Sequence, residues 1–511
     1  MAQNMPAESL LTRPTHERSF LNTIEQLAAN SRIECDSPTN VRTEIVHRAM
    51  GALLGAACAD ALGAPFEFGP SGRYSQVFPK DVRSGTGELI GGGSFDWQPG
   101  EFTDDSQMML ALAESLSSRR ALDLDDLWRH FLHWQRGATD CGLTTLSALR
   151  HETWRGAAER AHAAGEKSSS NGALMRVWPI AIAFHHAHPS VCMAAALAQA
   201  RTTHFHPLAG WSSAIGAEMC RRAINGHDPL HELDDIITLV PLDLQDRFRS
   251  VLHESWDPFS EVDADNGTAL VCLAQAVWAL RHGSDFAQVA RLAIDLGGDT
   301  DTVACVAGAI AGARSSVQGI PGRWLAYVNG SVTLPSGTRR EYRYRELLDV
   351  ARALLGMRPS HLTATERPAR PRRVDDHYEI YASDLGGAIE SSEEFAVVSL
   401  CLVDRRLDKW EVRREIFMRD EEDDANTDLL ASVRDAVNDI DALLAAGSRV
   451  LVHCHGGRSR TGLVLKAWAM RAHGMSADEA HHWLSQRWDR YAAYRLSFLD
   501  LLAGSWADEI S

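Results

Sequence analysis

The sequence predicts two domains of different class, a large all-α domain followed by a small α/β domain. From about residue 44 to residue 357, Ala, Leu and Gly recur at helical spacing, and no run of alternating strands interrupts them. Residues 394–404 and 448–454 are instead short, apolar and rich in β-branched side chains, and helical stretches follow them. At 511 residues the chain is also too long for one ordinary hydrophobic core.

The domain boundaries follow changes in composition. Residues 1–43 are polar and weakly patterned, so we expect a mobile N-terminal extension with one short helix. The helical domain spans 44–357. A linker over 358–376 contains three prolines and a basic cluster. The α/β domain then occupies 377–511.

Bulk properties exclude several classes of partner. A formal net charge of −17 argues against a non-specific nucleic-acid binder and against anchoring on anionic lipid. No apolar run is expected to reach the length of a membrane span, and the N-terminus lacks the apolar core of a signal peptide. The 9 cysteines are scattered without CxxC pairs, which suits a reducing cytoplasm and excludes an obvious structural zinc site. We therefore expect a cytoplasmic protein with no membrane partner.

Two acidic clusters, nearly two hundred residues apart, carry the first chemical signal. Each cluster offers hydroxyl and carboxylate oxygens at the start of a predicted helix: Thr103, Asp104 and Asp105 in the first, and Asp299, Thr300, Asp301 and Thr302 in the second. Hard divalent cations such as Mg²⁺ or Mn²⁺ prefer these oxygens, whereas zinc prefers Cys and His. Either cluster alone is also typical of a helix start, because Thr and Asp cap helices and acids favour the positive end of the dipole.

Small residues recur every four positions beside both clusters. They are Gly51, Gly55, Ala59 and Gly63 before the first cluster, and Ala304, Gly308 and Gly312 after the second. Such a stripe lies on one helix face and lets two helices approach closely. This would bring the acidic helix ends together, although general small-residue packing explains the glycines equally well.

Two other segments of the helical domain are predicted to contact substrate. Ser170, Asn171 and Gly172 precede an apolar helix, where they form a helix cap and leave backbone N–H groups available to a phosphate. Capping alone is the commoner role of such a segment. His204 and His206 are spaced as on a strand or loop, and we assign them to substrate contacts or to loop structure.

Together these segments resemble the ADP-ribosylglycohydrolase family. The matching pieces, in order, are GALLGAACADALGAPFEF, FTDDSQM, TDCGLTT, SNGALMRVWPIA, THFHP and GGDTDTVACVAGAIAGA, over about 260 residues. The resemblance implies an all-α fold with two Mg²⁺ ions, or Mn²⁺. The six implied ligand residues are Thr103, Asp104, Asp105, Asp299, Asp301 and Thr302. It also implies an ADP-ribosylated protein or small molecule as substrate, with nucleic acid only as an ADP-ribosylated acceptor.

The implied reaction is hydrolysis of an N- or O-glycosidic bond at C1 of the distal ribose. This develops oxocarbenium-like charge on the sugar, and paired cations would orient the ribose hydroxyls and activate a water. Asp105, Asp140 and Glu67 are the candidates for the proton-transferring carboxylate. Asp140 falls where the family places an acid near the distal ribose. Glu67, which would otherwise be a surface carboxylate after the APF turn, matches the acid that follows the family's first glycine-rich helix.

The second domain contains a loop suited to phosphate chemistry. Cys454 ends an apolar run, and Arg460 and Thr461 follow it at the start of a predicted helix. A glycine-containing loop there turns its N–H groups inward, which binds an anion and stabilises the Cys454 thiolate as a nucleophile. Arg460 would clamp two phosphate oxygens, and Thr461 would hydrogen-bond the departing thiolate. The remaining predicted substrate contacts of the loop are His453, His455, Gly456, Gly457, Arg458 and Ser459.

The loop resembles the HCxxGxxR(S/T) signature of protein tyrosine and dual-specificity phosphatases, and the short domain is more similar to the dual-specificity branch. The resemblance implies hydrolysis of a phosphorylated protein or a small phosphate ester, with no metal. Such enzymes need an upstream aspartic acid to protonate the leaving oxygen. Asp420 is the first choice, with Asp423 and Asp424 as alternatives.

Two hypotheses follow for the whole chain. The first is a bifunctional hydrolase that removes ADP-ribose from a modified acceptor and also hydrolyses a phosphate monoester. In the second, one domain is a non-catalytic reader of ADP-ribose or phosphate that recruits the other, and the phosphatase is the main activity.

Overall fold

The computed structural model describes residues 15–35, 40–165, 169–260, 265–359, 368–391, 393–403, 405–421, 426–493 and 495–510. Asp423 and Asp424, the alternatives for the phosphatase acid, lie outside these ranges. So do parts of the predicted N-terminal extension and of the predicted linker.

The N-terminal domain is built from helices around one large apolar core. Its helices are α1 (Thr15–Ala28), α2 (Thr43–Gly63), α3 (Arg73–Val77), α4 (Asp104–Arg119), α5 (Leu124–Gln135), α6 (Leu143–Leu149), α7 (Ala157–Ala163), α8 (Trp178–Ala183), α9 (Pro189–Ala200), α10 (Pro207–Ile224), α11 (Leu233–Thr238), α12 (Leu242–Leu252), α13 (Ala269–His282), α14 (Phe286–Ile294), α15 (Thr300–Ser315), α16 (Gly322–Leu325) and α17 (Tyr344–Leu354). The predicted helical class is confirmed.

Two short strand pairs add to this helical domain. Strands β1 (Arg32–Glu34) and β2 (Ala121–Asp123) pair antiparallel, as do β3 (Asn329–Thr333) and β4 (Arg339–Arg343). The described part of the predicted N-terminal extension packs against the helical domain, because Ile24 of α1 is fully buried in the domain core. Pairing of β1 with β2 holds the same segment to the domain.

Helices α2 and α15 cross with their backbones in direct contact. A Cβ atom on Gly51 would lie 2.1 Å from the carbonyl oxygen of Gly312, and one on Gly55 would lie 2.3 Å from that of Gly308. No side chain fits at either position, so the small-residue stripes seen in the sequence form this contact. Close helix approach, and not general packing alone, explains these glycines.

Helix α2 is also the most apolar long segment of the described chain. Residues Thr43–Phe66 reach a mean hydropathy of 1.4 over 18 residues, which by length and composition is enough to cross a membrane. The expectation that no apolar run reaches that length is therefore wrong. In the structure 94% of that window is buried inside the protein, as in the core helix of a globular domain.

The C-terminal domain is a five-stranded sheet with helices. The strands are β5 (Arg372–Arg373), β6 (Ile380–Asp384), β7 (Phe395–Ser399), β8 (Arg413–Glu415) and β9 (Arg449–Cys454), and the helices are α18 (Leu385–Glu390), α19 (Leu429–Ala445), α20 (Ser459–His473), α21 (Ala477–Arg487), α22 (Leu496–Ala503) and α23 (Ser505–Ile510). The strand order is β5-β6-β9-β7-β8. Strands β6, β9, β7 and β8 run parallel, and β5 is antiparallel at the edge. The predicted α/β class is confirmed.

Charged side chains join the two domains. The Nη1 atom of Arg83 in the N-terminal domain lies 2.9 Å from Asp435 and 2.7 Å from Asp439, both on α19. The N–H of Gly322 donates to the other oxygen of Asp435 at 2.7 Å. Asp439 is fully buried and also lies 3.5 Å from Arg414 of its own domain, so Arg83 extends a buried ion-pair network across the domain boundary. The two domains therefore pack as one unit.

The α2–α15 contact predicts a strong effect of a single methyl group. We expect Gly55→Ala to lower the free energy of unfolding by about 1–3 kcal/mol, because its Cβ meets a backbone carbonyl that cannot move alone. Urea unfolding followed by tryptophan fluorescence measures this. Gly142→Ala, which enters open space, is the matched control; equal stability of the two variants would contradict the packing argument.

Two candidate active sites

The two acidic clusters open helices, as the sequence predicts, but only one of them is a side-chain cap. Thr103 precedes α4, and its hydroxyl accepts a hydrogen bond from the N–H of Asp105 at 3.3 Å. Asp299 precedes α15 without capping it. Its Oδ2 instead accepts from the side-chain amide of Asn171 at 2.7 Å. Helix capping therefore accounts for Thr103 and leaves the carboxylate of Asp299 unexplained.

The clusters converge in space. The carboxylate oxygens of Glu67, Asp299 and Asp301 lie within 4.8 Å of one another, as the ligands of a metal ion do. The hydroxyl of Thr302 donates to Asp105 Oδ2 at 3.2 Å, which joins the helix ends of α15 and α4. The six predicted ligand residues are thus brought to one place, together with Glu67.

The electrostatics of this cluster fit a divalent cation. One carboxylate oxygen each of Asp105, Asp301 and Glu67 is buried and has no hydrogen-bond partner among the described residues. Burial, and then the neighbouring carboxylates, raises the pKa of Asp104, Asp105 and Asp301 well above the ordinary value. Buried oxygen atoms without donors, held close to like charges, are what a hard cation would satisfy. The residues present fit bound Mg²⁺ or Mn²⁺.

A fourth buried acid, Asp60, supports the cluster from α2. Its carboxylate accepts from the N–H groups of Thr103 and Ser106, each at 3.0 Å, and so holds the first turn of α4. Burial raises the pKa of Asp60 to about 6, although these N–H groups oppose the shift. Asp60 is not among the site residues predicted from the sequence. The available signal was a charged residue inside an otherwise small and apolar helix.

The predicted proton-transferring acids stand at the edge of the cluster. Glu67 is half-buried, and burial followed by the charges of Asp299, Asp140 and Asp60 raises its pKa to about 8. Burial also raises the pKa of Asp140, whose carboxylate accepts from the N–H of Cys141 at 2.7 Å. Both residues therefore face the same carboxylates, and the choice between them and Asp105 stays open.

The segment around Ser170 is a support for the acidic site and not a helix cap. Ser170 makes no cap; its hydroxyl lies 3.0 Å from Thr144 Oγ1 and 3.0 Å from His204 Nε2. His204 is almost fully buried and packs beneath Gly172, where a Cβ would lie 3.2 Å from the ring. His206 caps α10, accepting from the N–H of Leu208 at 3.2 Å. Loop structure, the second of the two predicted roles for these histidines, accounts for their contacts.

The phosphatase-like loop joins β9 to α20. Cys454 ends the strand and is fully buried. Gly457 has a φ of +66°, and a Cβ there would lie 2.7 Å from the carbonyl oxygen of Ser383. The indole N–H of Trp488 donates to the carbonyl of Gly457 at 2.6 Å. The loop is therefore fixed from two sides, which its own sequence does not reveal.

Arg460 and Asp420 lie together at this loop. The Nη1 of Arg460 donates to the carbonyls of Leu400 at 3.0 Å and Met418 at 3.1 Å. Its Nε lies 3.7 Å from Asp420 Oδ2. Asp420 also accepts from the Ser459 hydroxyl at 2.5 Å. The predicted acid is thus within reach of the predicted anion clamp.

Other contacts refine the predicted roles. Arg495, missed in the sequence, donates to Asp420 Oδ1 at 3.1 Å and so holds the acid. His453 is fully buried, and its Nε2 lies 2.7 Å from the Ser399 hydroxyl on β7. Burial lowers the pKa of His453 to about 4, so the ring is neutral. His453 therefore holds strand β9 against β7, and this role is favoured in place of the predicted contact with substrate. The buried hydroxyl of Thr461 has no hydrogen-bond partner among the described residues.

Comparison with known proteins covers both regions. Residues 41–361 match the family model for ADP-ribosylglycohydrolase. Residues 392–500 match the model for the dual specificity phosphatase catalytic domain. The chain accordingly contains hydrolase domains of both types, in the predicted order.

Individual relatives match the first of these regions. An ADP-ribosyl-(dinitrogen reductase) glycohydrolase of Rhodospirillum rubrum is 31% identical over 313 residues, which are 61% of this chain and 97% of the relative. The ADP-ribosylarginine hydrolase Tri1 of Serratia proteamaculans is 30% identical and matches over 55% of this chain and 75% of its own length. A solved structure described as an ADP-ribosylglycohydrolase-related protein complex is 34% identical, covers 62% of this chain and 99% of its own, and superposes with a TM-score of 0.49.

The raised pKa of Glu67 predicts a pH-dependent stability when divalent cations are removed. The pKa of Glu67 is about 8 in the folded protein and 4.5 ordinarily, because the folded state disfavours the charged carboxylate. The free energy of unfolding is therefore highest below pH 4.5, and this contribution is lost as the pH rises through 8. In EDTA, the melting temperature of Glu67→Gln minus that of wild type should therefore increase from pH 5 to pH 8. Thermal denaturation at both pH values measures this. The exposed Glu159→Gln variant should show no such trend, and a Glu67→Gln difference independent of pH would contradict the assignment.

Proposed function

We propose that this chain, which belongs to the ADP-ribosylglycohydrolase family, is a bifunctional hydrolase that acts on an ADP-ribose glycosidic bond and on a phosphate monoester. The observation that carries the first activity is the set of buried, unpartnered carboxylate oxygens at the meeting point of α4 and α15. Intact ligand residues at both helix ends favour catalysis over recognition alone.

In the first site, the chain's own residues hold the cofactor and position the proton. Asp104, Asp105, Asp299 and Asp301, with the hydroxyls of the two flanking threonines, would hold two Mg²⁺ ions. When bound, such ions orient ribose hydroxyls and lower the pKa of a water molecule. Glu67 carries a raised pKa and lies within 4.8 Å of Asp299 and Asp301, which suits it to exchange a proton near neutral pH.

The acceptor we propose is an arginine side chain. Relatives that match over 55% and 56% of this chain, at 30% and 29% identity, are named as ADP-ribosylarginine hydrolases. Glu67 and Asp140, which lie outside the predicted ligand set, are the carboxylates left to face a guanidinium group once the cluster holds cations. Serine-linked and DNA-linked ADP-ribose are the alternatives that a direct assay separates.

In the second site, Cys454 is the proposed nucleophile. Its sulfur attacks phosphorus, an S–P bond forms, and the ester P–O bond breaks, with Asp420 giving a proton to the leaving oxygen. Water then hydrolyses the thiophosphate. Arg460 would clamp the phosphate, because its Nε is buried without a hydrogen-bond partner among the described residues while its Nη1 is anchored to two carbonyls.

The glycohydrolase proposal predicts magnesium-dependent release of ADP-ribose. Arginine-, serine- and DNA-linked mono-ADP-ribose substrates are incubated with the protein in Mg²⁺ or in EDTA, and free ADP-ribose is quantified. We expect release from the arginine-linked substrate only with Mg²⁺, and a loss of at least about a hundredfold in Asp301→Asn. Asp243→Asn, an exposed aspartate of α12, is the control. Tight ADP-ribose binding without release from any substrate would instead establish a reader domain.

The phosphatase proposal predicts a metal-independent activity. Hydrolysis of p-nitrophenyl phosphate should be unaffected by EDTA and should fall at least about a thousandfold in Cys454→Ser, because serine oxygen is not activated by the loop as a thiolate is. Cys141→Ser in the other domain is the matched control. Turnover that survives in Cys454→Ser would show that the nucleophile assignment is wrong.

A further inference from the structure

A cavity of about 550 Å³ lies where the two domains meet, and it opens onto the phosphatase loop. His455, Arg460 and Asp420 line it from the C-terminal domain. Its volume is that of a pocket for a small molecule. The entrance to the proposed phosphatase site is therefore not a surface of that domain alone.

The other wall of the cavity is formed by the N-terminal domain. Helix α2 contributes Val46, His47 and Met50, and helix α17 contributes Leu348 and Arg352. Most of these side chains are apolar and buried. A folded protein surface around a phosphorylated residue would have to occupy the same space, so this wall favours a small molecule over a phosphoprotein.

His47 is a polar group directed into this cavity. The side chain is fully buried, its Nδ1 lies 3.0 Å from the Thr427 hydroxyl, and its ring packs edge-on against Phe417 at 4.8 Å. Nothing among the described residues hydrogen-bonds its Nε2. Burial lowers the pKa of His47 to about 3, so the ring is neutral. A buried neutral ring nitrogen without a partner is a ready hydrogen-bonding site for a ligand.

Two arginines from opposite domains face the same space. Arg352 of α17 donates from Nε to the carbonyl of Arg358 at 2.8 Å, and the charge of Asp349 on the same helix also acts on it. Arg419 of the C-terminal domain forms an ion pair with Glu421. Burial, and then the charge of Arg419, lowers the pKa of Arg352, and the charge of Asp349 offsets only part of this shift, so the two guanidinium groups repel each other across the cavity. An anion between them would remove that repulsion.

We propose that the phosphatase site takes a small phosphate monoester that carries a second anionic group, and that Arg352 of the N-terminal domain binds this second group. The inference rests on the proposed phosphatase activity. The phosphate to be cleaved lies at Cys454 and Arg460, while the body of the molecule contacts the apolar wall. The glycohydrolase domain is thereby the specificity element of the phosphatase.

The test compares matched pairs of substrates that differ by one phosphate. These are adenosine 3′,5′-bisphosphate with adenosine 3′-monophosphate, and fructose 1,6-bisphosphate with fructose 6-phosphate. Phosphate release by the full-length protein gives kcat/KM for each, with p-nitrophenyl phosphate and a phosphotyrosine peptide alongside. We expect wild type to prefer the bisphosphate of at least one pair, and Arg352→Met to reduce that preference about tenfold through KM. Hydrolysis of p-nitrophenyl phosphate should stay within about twofold of wild type.

The control is Arg345→Met, which makes the same change on the same helix outside this cavity. Equal effects of the two arginine variants, or a phosphotyrosine peptide preferred over every small substrate, would overturn the proposal. If wild type hydrolyses none of these compounds, the proposed phosphatase function fails. Calorimetric binding of the two bisphosphates then decides the cavity proposal, since a dissociation constant unchanged by Arg352→Met would overturn it and a tenfold increase would support it.

Discussion

The direct backbone contact between α2 and α15 is the constraint on which the acidic site depends. Because glycines face each other along this crossing, the end of α2 comes against the start of α15: a Cβ on Gly63 would lie 2.6 Å from the Cα of Asp301. Asp60, in the last turn of α2, then holds the first turn of α4 through its N–H groups. Three helix ends thus place carboxylates together against their mutual repulsion, and the packing energy of the domain holds them there.

The two candidate sites have opposite electrostatic requirements. The first concentrates carboxylates, which suits cations, whereas the second contains Arg460 beside Cys454 in a loop at the start of α20, which suits an anion. Their domains are nevertheless joined by a buried network in which Arg83 contacts Asp435 and Asp439. The two candidate sites therefore lie in domains that are joined by direct ion pairs, although their charge requirements are opposite.

Local pattern was sufficient for the domain classes and for the residues that act within a single motif. The acidic clusters, the glycine stripes and the Cys454 loop could all be recognised because each needs only a short spacing. Contacts between distant segments could not be recognised in this way. The hydrogen bonds that join Asp60 to Thr103, Arg495 to Asp420, and Ser399 to His453 all depend on tertiary packing. Residues 15–35 belong to the segment predicted as a mobile extension. Their few apolar side chains are buried against parts of the N-terminal domain that are distant in sequence, so the local pattern does not reveal this packing.

Helix α2 borders both the acidic cluster and the interdomain cavity. Its first turns carry His47, which faces the interdomain cavity, and its last turn carries Asp60, which supports the acidic cluster. Its 21 residues span about 31 Å. One inserted or deleted residue in between would rotate one end against the other by about 100° and shift it by about 1.5 Å. The two candidate sites therefore share one helical register, and in evolution neither domain is free to change the length of this helix independently of the other.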